Sequence, residues 1–296
     1  MKAALVGVVV AAGLLYAAAR WSEGGRAPVR EFFRREARRP LVIAHRGGAG
    51  LWPENTIYAF ERASELGVDV LELDVRASAD GQLVVIHDER VERTTDGAGA
   101  VSALTLNELK RLDAGFRWTP DGGRTFPLRG QGLTVPTLAE VFERFPHARF
   151  NIEPKQQTPS VVAPLCRLLR ERGMTASVLV ASFRAAVMDE FRSTCTEVAT
   201  SASTGEATRF LALYKTGLGD SFSPSMSALQ VPEYAGGVQV LTRGFVEAAH
   251  RRGLEVHAWT INDAGDMRRL LDVGVDGIIT DYPDRLLQLL GRRQTP

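Results

Sequence analysis

Leu41-Val42-Ile43-Ala44-His45-Arg46-Gly47-Gly48 joins four apolar, strand-forming residues to a histidine, an arginine and two glycines. A short apolar run that breaks at ionisable residues suits a strand of a parallel sheet, buried on both faces and functional at its carboxyl end. The pattern recurs downstream. Val70 to Val75 carries Glu72 and Asp74, Leu83 to His87 runs into Asp88, and Arg149 to Glu153 continues to Lys155. Further candidate strands are Ser177 to Ala181, Glu197 to Thr200, Ala228 to Val231, Glu255 to Thr260 and Gly277 to Thr280. Amphipathic helical segments separate them, among them 55–66, 137–145, 160–172, 242–252 and 264–273, several closed by glycine. Such alternation over about 250 residues predicts an α/β fold, a (β/α)8 TIM barrel. An open doubly wound sheet is the competing arrangement, but no GxGxxG follows the first strand.

Two stretches depart from the repeat. Nine candidate strands are one too many for the barrel, and only seven residues, Arg76 to Gln82, separate the second from the third. That is too short for a helical crossover, and Asp80-Gly81 reads as a turn, so a hairpin is expected there. The segment Arg90 to Pro136, rich in Gly, Thr and Arg, reads as an insertion after the third strand, lying over the barrel mouth.

The 296 residues are 45% apolar and 24% charged, which sets disorder aside. The net charge of +1 provides no global attraction for nucleic acid. Cys166 and Cys195 have neither CxxC nor zinc spacing and are expected to be plain thiols. The start of the chain is unlike the rest. Ala3 to Ala19 is an uncharged 17-residue run, and seven arginines follow between Arg20 and Arg39. At about 1.5 Å per residue the run would cover roughly 25 Å as a hydrophobic helix, the lower limit for a membrane span. The arginines after it predict an anchor retained in the membrane, with the catalytic domain on the cytoplasmic side; the alternative is a signal peptide cleaved after Ala17-Ala18-Ala19, with export. The expected division is therefore an anchor or signal over 1–20, an Arg-rich linker over 21–39, and a barrel domain over 40–291.

The ionisable residues at strand ends point to chemistry. Residues i and i+2 of a strand share a face, so Glu72 and Asp74 point one way, as do Glu153 and Lys155. Three carboxylates converging at one mouth repel each other unless a cation sits among them, and hard oxygen donors suit one Mg²⁺ or Ca²⁺. His45 and His87 flank the cluster and could serve as general acid and base. Arg46 and Lys155 add positive charge suited to a phosphate. Metal-assisted phosphodiester cleavage fits this set better than glycoside hydrolysis, which needs only a carboxylate pair.

His45-Arg46-Gly47-Gly48, Pro53-Glu54-Asn55-Thr56, Glu72-Leu73-Asp74-Val75, Val84-Val85-Ile86-His87-Asp88, Glu153-Pro154-Lys155, Trp259-Thr260-Ile261-Asn262 and Gly274 to Pro283 occur in this order. Together they resemble the glycerophosphodiester phosphodiesterase family over about Leu41 to Leu290. The resemblance implies a (β/α)8 barrel with an insertion after the third strand, and a second and third strand joined without a helix. It implies Glu72, Asp74 and Glu153 as metal ligands, His45 and His87 as the acid/base pair, and Arg46 and Lys155 as phosphate contacts. Pro154 departs from the family, which more often has an aliphatic residue there. Trp259 and Glu54 are further candidates for the substrate pocket, and Asn55 or Thr56 for capping the first helix.

The reaction so implied converts a glycerophosphodiester to glycerol 3-phosphate and an alcohol. A lysophospholipid is the alternative substrate, cleaved as by a lysophospholipase D. A non-catalytic, membrane-tethered binding module is the rival of another class, but it would be expected to have lost one of the seven positions, and all are present.

Overall fold

In the computed structural model the described residues are Tyr16, 23–34 and 40–292. The sheet runs β6 (Ala199–Thr200), β5 (Val178–Val180), β4 (Phe150–Pro154), β2 (Val70–Ala77), β1 (Leu41–Ala44), β11 (Gly277–Thr280), β10 (Glu255–Ala258) and β7 (Ala228–Val231), with every neighbour pair parallel. A parallel bridge between Ser201 and Ala228 joins the two ends, so eight strands close into a ring. The ninth candidate, β3 (Leu83–Val85), pairs antiparallel with β2 outside that ring, which is how a seven-residue connection is accommodated. Between β7 and β10 a short hairpin, β8 (Tyr234–Ala235) and β9 (Val238–Gln239), stands exposed.

Strand alternation sorts the side chains. On β1, Val42 and Ala44 face the helices while Leu41 and Ile43 face inward; on β2, Leu71, Leu73 and Val75 pack outward against Phe60, Phe142 and Leu138. The inward set at the amino end is apolar: Leu41, Ile43, Val70, Leu179, Ala199, Ala228 and Ile279 surround Phe32, which is 1% exposed. Higher on the same inward rows the residues turn polar, to Glu72, Asn151, Gln230 and His257, and then to Asp74 and Glu153. One end of the barrel is thus a packed plug and the other a polar mouth, the arrangement on which barrel enzymes rely.

Phe32 belongs to the arginine-rich stretch expected as a linker. Residues 23–34 are docked instead: Ala27 N–H donates to the Arg252 carbonyl (2.7 Å), Gly24 N–H to that of Asp220 (2.9 Å), and Ser227 Oγ to that of Pro28 (2.9 Å). The expected N-terminal anchor, and with it a cytoplasmic catalytic domain, is corrected, because among the described residues no helix is long and apolar enough to cross a membrane. Apart from Tyr16, the run from Ala3 to Ala19 lies outside the described residues, as does the cleavage site of the alternative export signal.

The cysteines also need correction. Cys166, on the helix Val162–Glu171, and Cys195, at the end of the helix Ala185–Thr194, form a disulfide across the packed helix pair, with Cα atoms 5.7 Å apart. Their 29-residue separation carries no motif, and only the packing of the two helices brings them together.

Pro154 leaves the ladder intact. N–H groups alternate sides along a strand, and that of Lys155 donates to Val75 of β2 (3.0 Å), so the donor that Pro154 lacks would face β5. There the paired register stops at Ile152 opposite Val180.

Candidate active site

A cavity of about 230 Å³ opens at the carboxyl end of the barrel, lined by His45, Arg46, Glu72, His87, Glu153, Lys155 and Trp259 among others. β1 ends at Ala44, and the chain turns at once into a single helical turn, His45–Gly47, that folds over the mouth. Arg46 there has φ 51°, in the left-handed region that non-glycine residues rarely adopt. The turn aims its backbone N–H at Glu72 Oε2 (2.6 Å), while the guanidinium reaches Asp74 (Nε to Oδ2, 3.3 Å) and Glu54 (2.9 Å).

The three carboxylates converge. Glu72, Asp74 and Glu153 each offer an oxygen within 4.8 Å of the others, and the parallel register, which sets Asp74 beside Glu153, brings them together. Glu72 and Asp74 are 5% and 1% exposed. Burial, reinforced by Asp74, raises the Glu72 carboxyl to about 7. Burial would raise Asp74 too, but Lys155 and Arg46 hold it below its ordinary value. Lys155 Nζ lies 2.7 Å from Glu153 Oε2 and 3.2 Å from Asp74 Oδ1. Even so, burial leaves Glu153 above the usual carboxylate range. A buried cluster of hard oxygen donors, in which burial and mutual repulsion oppose ionisation, is a fitting seat for a divalent cation.

The two histidines are held alike. Nδ1 of His45 is 2.6 Å from Asp281 Oδ1, and Nδ1 of His87 is 2.6 Å from Asp88 Oδ1. Hydrogen bonds to His45 and Arg93 respectively keep Asp281 and Asp88 ionised against the effect of burial, Asp88 at about 2. An ionised carboxylate only accepts, so each Nδ1 is the donor and each Nε2 is left for the cavity that both rings line. Burial lowers the pKa of His87; at His45 burial acts in the same sense, but Glu72 and Asp281 outweigh it and raise the value.

Other residues fall where sequence reasoning had not put them. Asp281, one residue past β11, holds His45 and is itself held by Asn262 Nδ2 (2.7 Å). Its place at a strand's carboxyl end was the available signal. Thr56 does cap the helix Ile57–Leu66, accepting from Ala59 N–H, whereas Asn55 turns inward to Asp74. Glu54 sits behind Arg46, ion-paired also to Arg93, and lines a neighbouring cavity and not that of the histidines. Trp259 forms part of the wall and packs on Phe183, ring centroids 5.1 Å apart; Phe183 is 49% exposed and had no distinguishing motif.

Comparison with known proteins agrees with this geometry. Residues 45–285 match the sequence model of the glycerophosphoryl diester phosphodiesterase family. The chain belongs to that family. It is 38% identical over 258 residues to a glycerophosphodiester phosphodiesterase of Caldanaerobacter subterraneus, covering 84% of this chain and 97% of that protein. A human lysophospholipase D is 26% identical over 273 residues, covering 84% of this chain and 85% of the relative. Among solved structures, an Oleispira antarctica phosphodiesterase in complex with the product sn-glycerol-3-phosphate superposes with a TM-score of 0.66 at 27% identity, covering 86% of this chain and 97% of that one.

Proposed function

We propose that this phosphodiesterase hydrolyses glycerophosphodiesters to glycerol 3-phosphate and an alcohol at the His45/His87 cavity. The observation that carries the reading is the convergence of two histidines, each fixed at Nδ1 by its own carboxylate, on the cavity that holds Glu72, Glu153, Arg46 and Lys155. Glu72, Asp74 and Glu153 hold one divalent cation, Mg²⁺ or Ca²⁺, as their hard oxygens favour. When bound, the cation supplies Lewis-acid polarisation of a phosphoryl oxygen. Arg46 and Lys155 bind the phosphate and offset the charge that builds on it. One imidazole takes, through Nε2, the proton of the nucleophile, water or the adjacent glycerol hydroxyl, as its oxygen bonds to phosphorus, and the other gives a proton to the departing alcohol oxygen as its P–O bond cleaves; where the glycerol hydroxyl attacks, water then opens the cyclic phosphate by the same proton transfers.

A lysophospholipid is the second substrate to weigh, because the exposed Phe183 against Trp259 gives the wall an apolar lip that an acyl chain would cover. Turnover of glycerophosphocholine against lysophosphatidylcholine separates the two. For the mechanism, His45→Ala and His87→Ala should each lower kcat by about 10²-fold or more on glycerophosphocholine. Near-native turnover in either variant would overturn the assigned roles.

A further inference from the structure

We infer that Asn55 is a positioning residue, which sets the carboxylate of Asp74 for the cation; the inference rests on the proposed assignment of Glu72, Asp74 and Glu153 as its ligands. Arg46 and Asn55 are the two non-glycine residues with left-handed backbone among the described residues, at φ 51° and 57°. They are joined directly, since Asn55 N–H donates to the Arg46 carbonyl at 2.9 Å. Each then serves one acidic residue of β2. Arg46 N–H goes to Glu72 Oε2, and Asn55 Nδ2 donates to Asp74 Oδ2 at 2.9 Å.

The second half of the Asn55 contact is to backbone. β1 ends at Ala44, opposite Leu71, so Asp74 lies three residues past the end of that ladder. Its N–H, without a β1 partner, donates to Asn55 Oδ1 at 3.3 Å. The Asn55 side chain thus stands in for the missing strand and grips Asp74 at both its backbone and its carboxylate. With Oδ2 bonded to Asn55 and 3.3 Å from Nε of Arg46, Oδ1, 3.2 Å from Lys155 Nζ, is the oxygen left for a cation shared by the cluster.

Residue type supports the reading. Asparagine is among the few non-glycine residues that tolerate the left-handed region, and its amide presents a donor and an acceptor at once. A helix cap is not its task, because Thr56 fills that position. At 4% exposure Asn55 is buried, and the hydrogen bonds of its amide nitrogen and oxygen both go to Asp74. Groups that orient metal ligands in this way typically govern affinity by about 10- to 100-fold.

The test is Mn²⁺ binding to the full chain, followed by the electron paramagnetic resonance signal of free ion, beside thermal melting without metal. Asn55→Gly keeps the backbone conformation and deletes the amide. Asn55→Asp keeps size and backbone preference but replaces the donor facing Asp74 by a like charge. Both variants should bind Mn²⁺ about 10- to 100-fold more weakly than the wild type, while the metal-free Asn55→Asp protein still melts cooperatively. Wild-type affinity in both variants, with only the metal-free melting temperature lowered, would make Asn55 a structural residue and overturn the inference while leaving the metal assignment standing. A wild-type protein that binds no Mn²⁺ overturns both together.

Discussion

Replacing Lys155 by methionine removes the ammonium from between Asp74 and Glu153 and leaves a side chain of similar length. Lys155 Nζ lies 2.7 Å from Glu153 Oε2, and its side chain is only 15% exposed. Asp74 retains Arg46 and Asn55, so the loss falls mainly on Glu153. Removing one partner of a buried pair costs about 3–5 kcal/mol, and the lower end applies where other cations remain close. At about 2–4 °C per kcal/mol for a chain near this size, a loss of about 3 kcal/mol lowers the melting temperature of the metal-free protein by roughly 6–12 °C. The deficit shrinks as the pH falls, because a protonated Glu153, whose pKa burial raises, no longer needs a cation. A divalent cation should then return more stability to the variant than to the wild type, since it replaces the lost charge and meets no competing ammonium. At 100 times its dissociation constant it restores about 2.7 kcal/mol. Differential scanning fluorimetry with and without Mg²⁺ or Ca²⁺ reads both effects. An unchanged metal-free melting temperature, or a smaller metal-induced rise in the variant, would refute the reasoning.

Three further outcomes follow from other parts of the molecule. Replacing Cys166 and Cys195 together by alanine opens a loop whose closure across a 29-residue separation is worth about 3.5 kcal/mol by chain entropy, so melting should fall by roughly 7–14 °C, and reductant should reproduce the fall in the wild type. Phe32→Ala empties the plug beneath the barrel and should cost about 3–5 kcal/mol in a denaturant titration; a cost below 1 kcal/mol would mean that residues 23–34 do not seal that end. At Asp276, burial alone would raise the pKa, but the hydrogen bonds from His250 and Val256 N–H lower it. A depressed carboxyl contributes stability that is complete above its unfolded value of about 3.9 and is lost as the pH falls through its folded value. Asp276→Asn should therefore melt lower than the wild type at pH 7, with the gap narrowing below pH 4.

The barrel was legible because its strands are short apolar runs ending in chemistry-bearing residues, as Leu41 to Gly48 shows. The same alternation that makes Leu41 and Ile43 the plug makes Glu72, Asp74 and Glu153 the mouth; i, i+2 spacing put Glu72 and Asp74 on one face, and Glu153 was readable beside them as a carboxylate at another strand's end. What was not legible depends on contacts distant in sequence. Asp281 meets His45 across 236 positions, and the Cys166–Cys195 bond needs two helices to pack before the thiols meet. Asn55 was hidden for another reason: beside Thr56 at a helix start its local role as a cap was sufficient, and nothing nearby indicated a partner on β2. The arginine-rich stem was read as a linker because its charge outweighed Phe32, and the backbone bonds of Gly24, Ala27 and Pro28 that also dock it on the barrel leave no pattern in the sequence.

The central claim is tested most directly by identifying the phosphorus-containing product when the full chain is given glycerophosphocholine with Mg²⁺ or Ca²⁺ and followed by phosphorus-31 NMR. The account predicts sn-glycerol 3-phosphate, formed with the cation and absent with chelator. Phosphocholine as the product, or turnover that is indifferent to chelation, would contradict it.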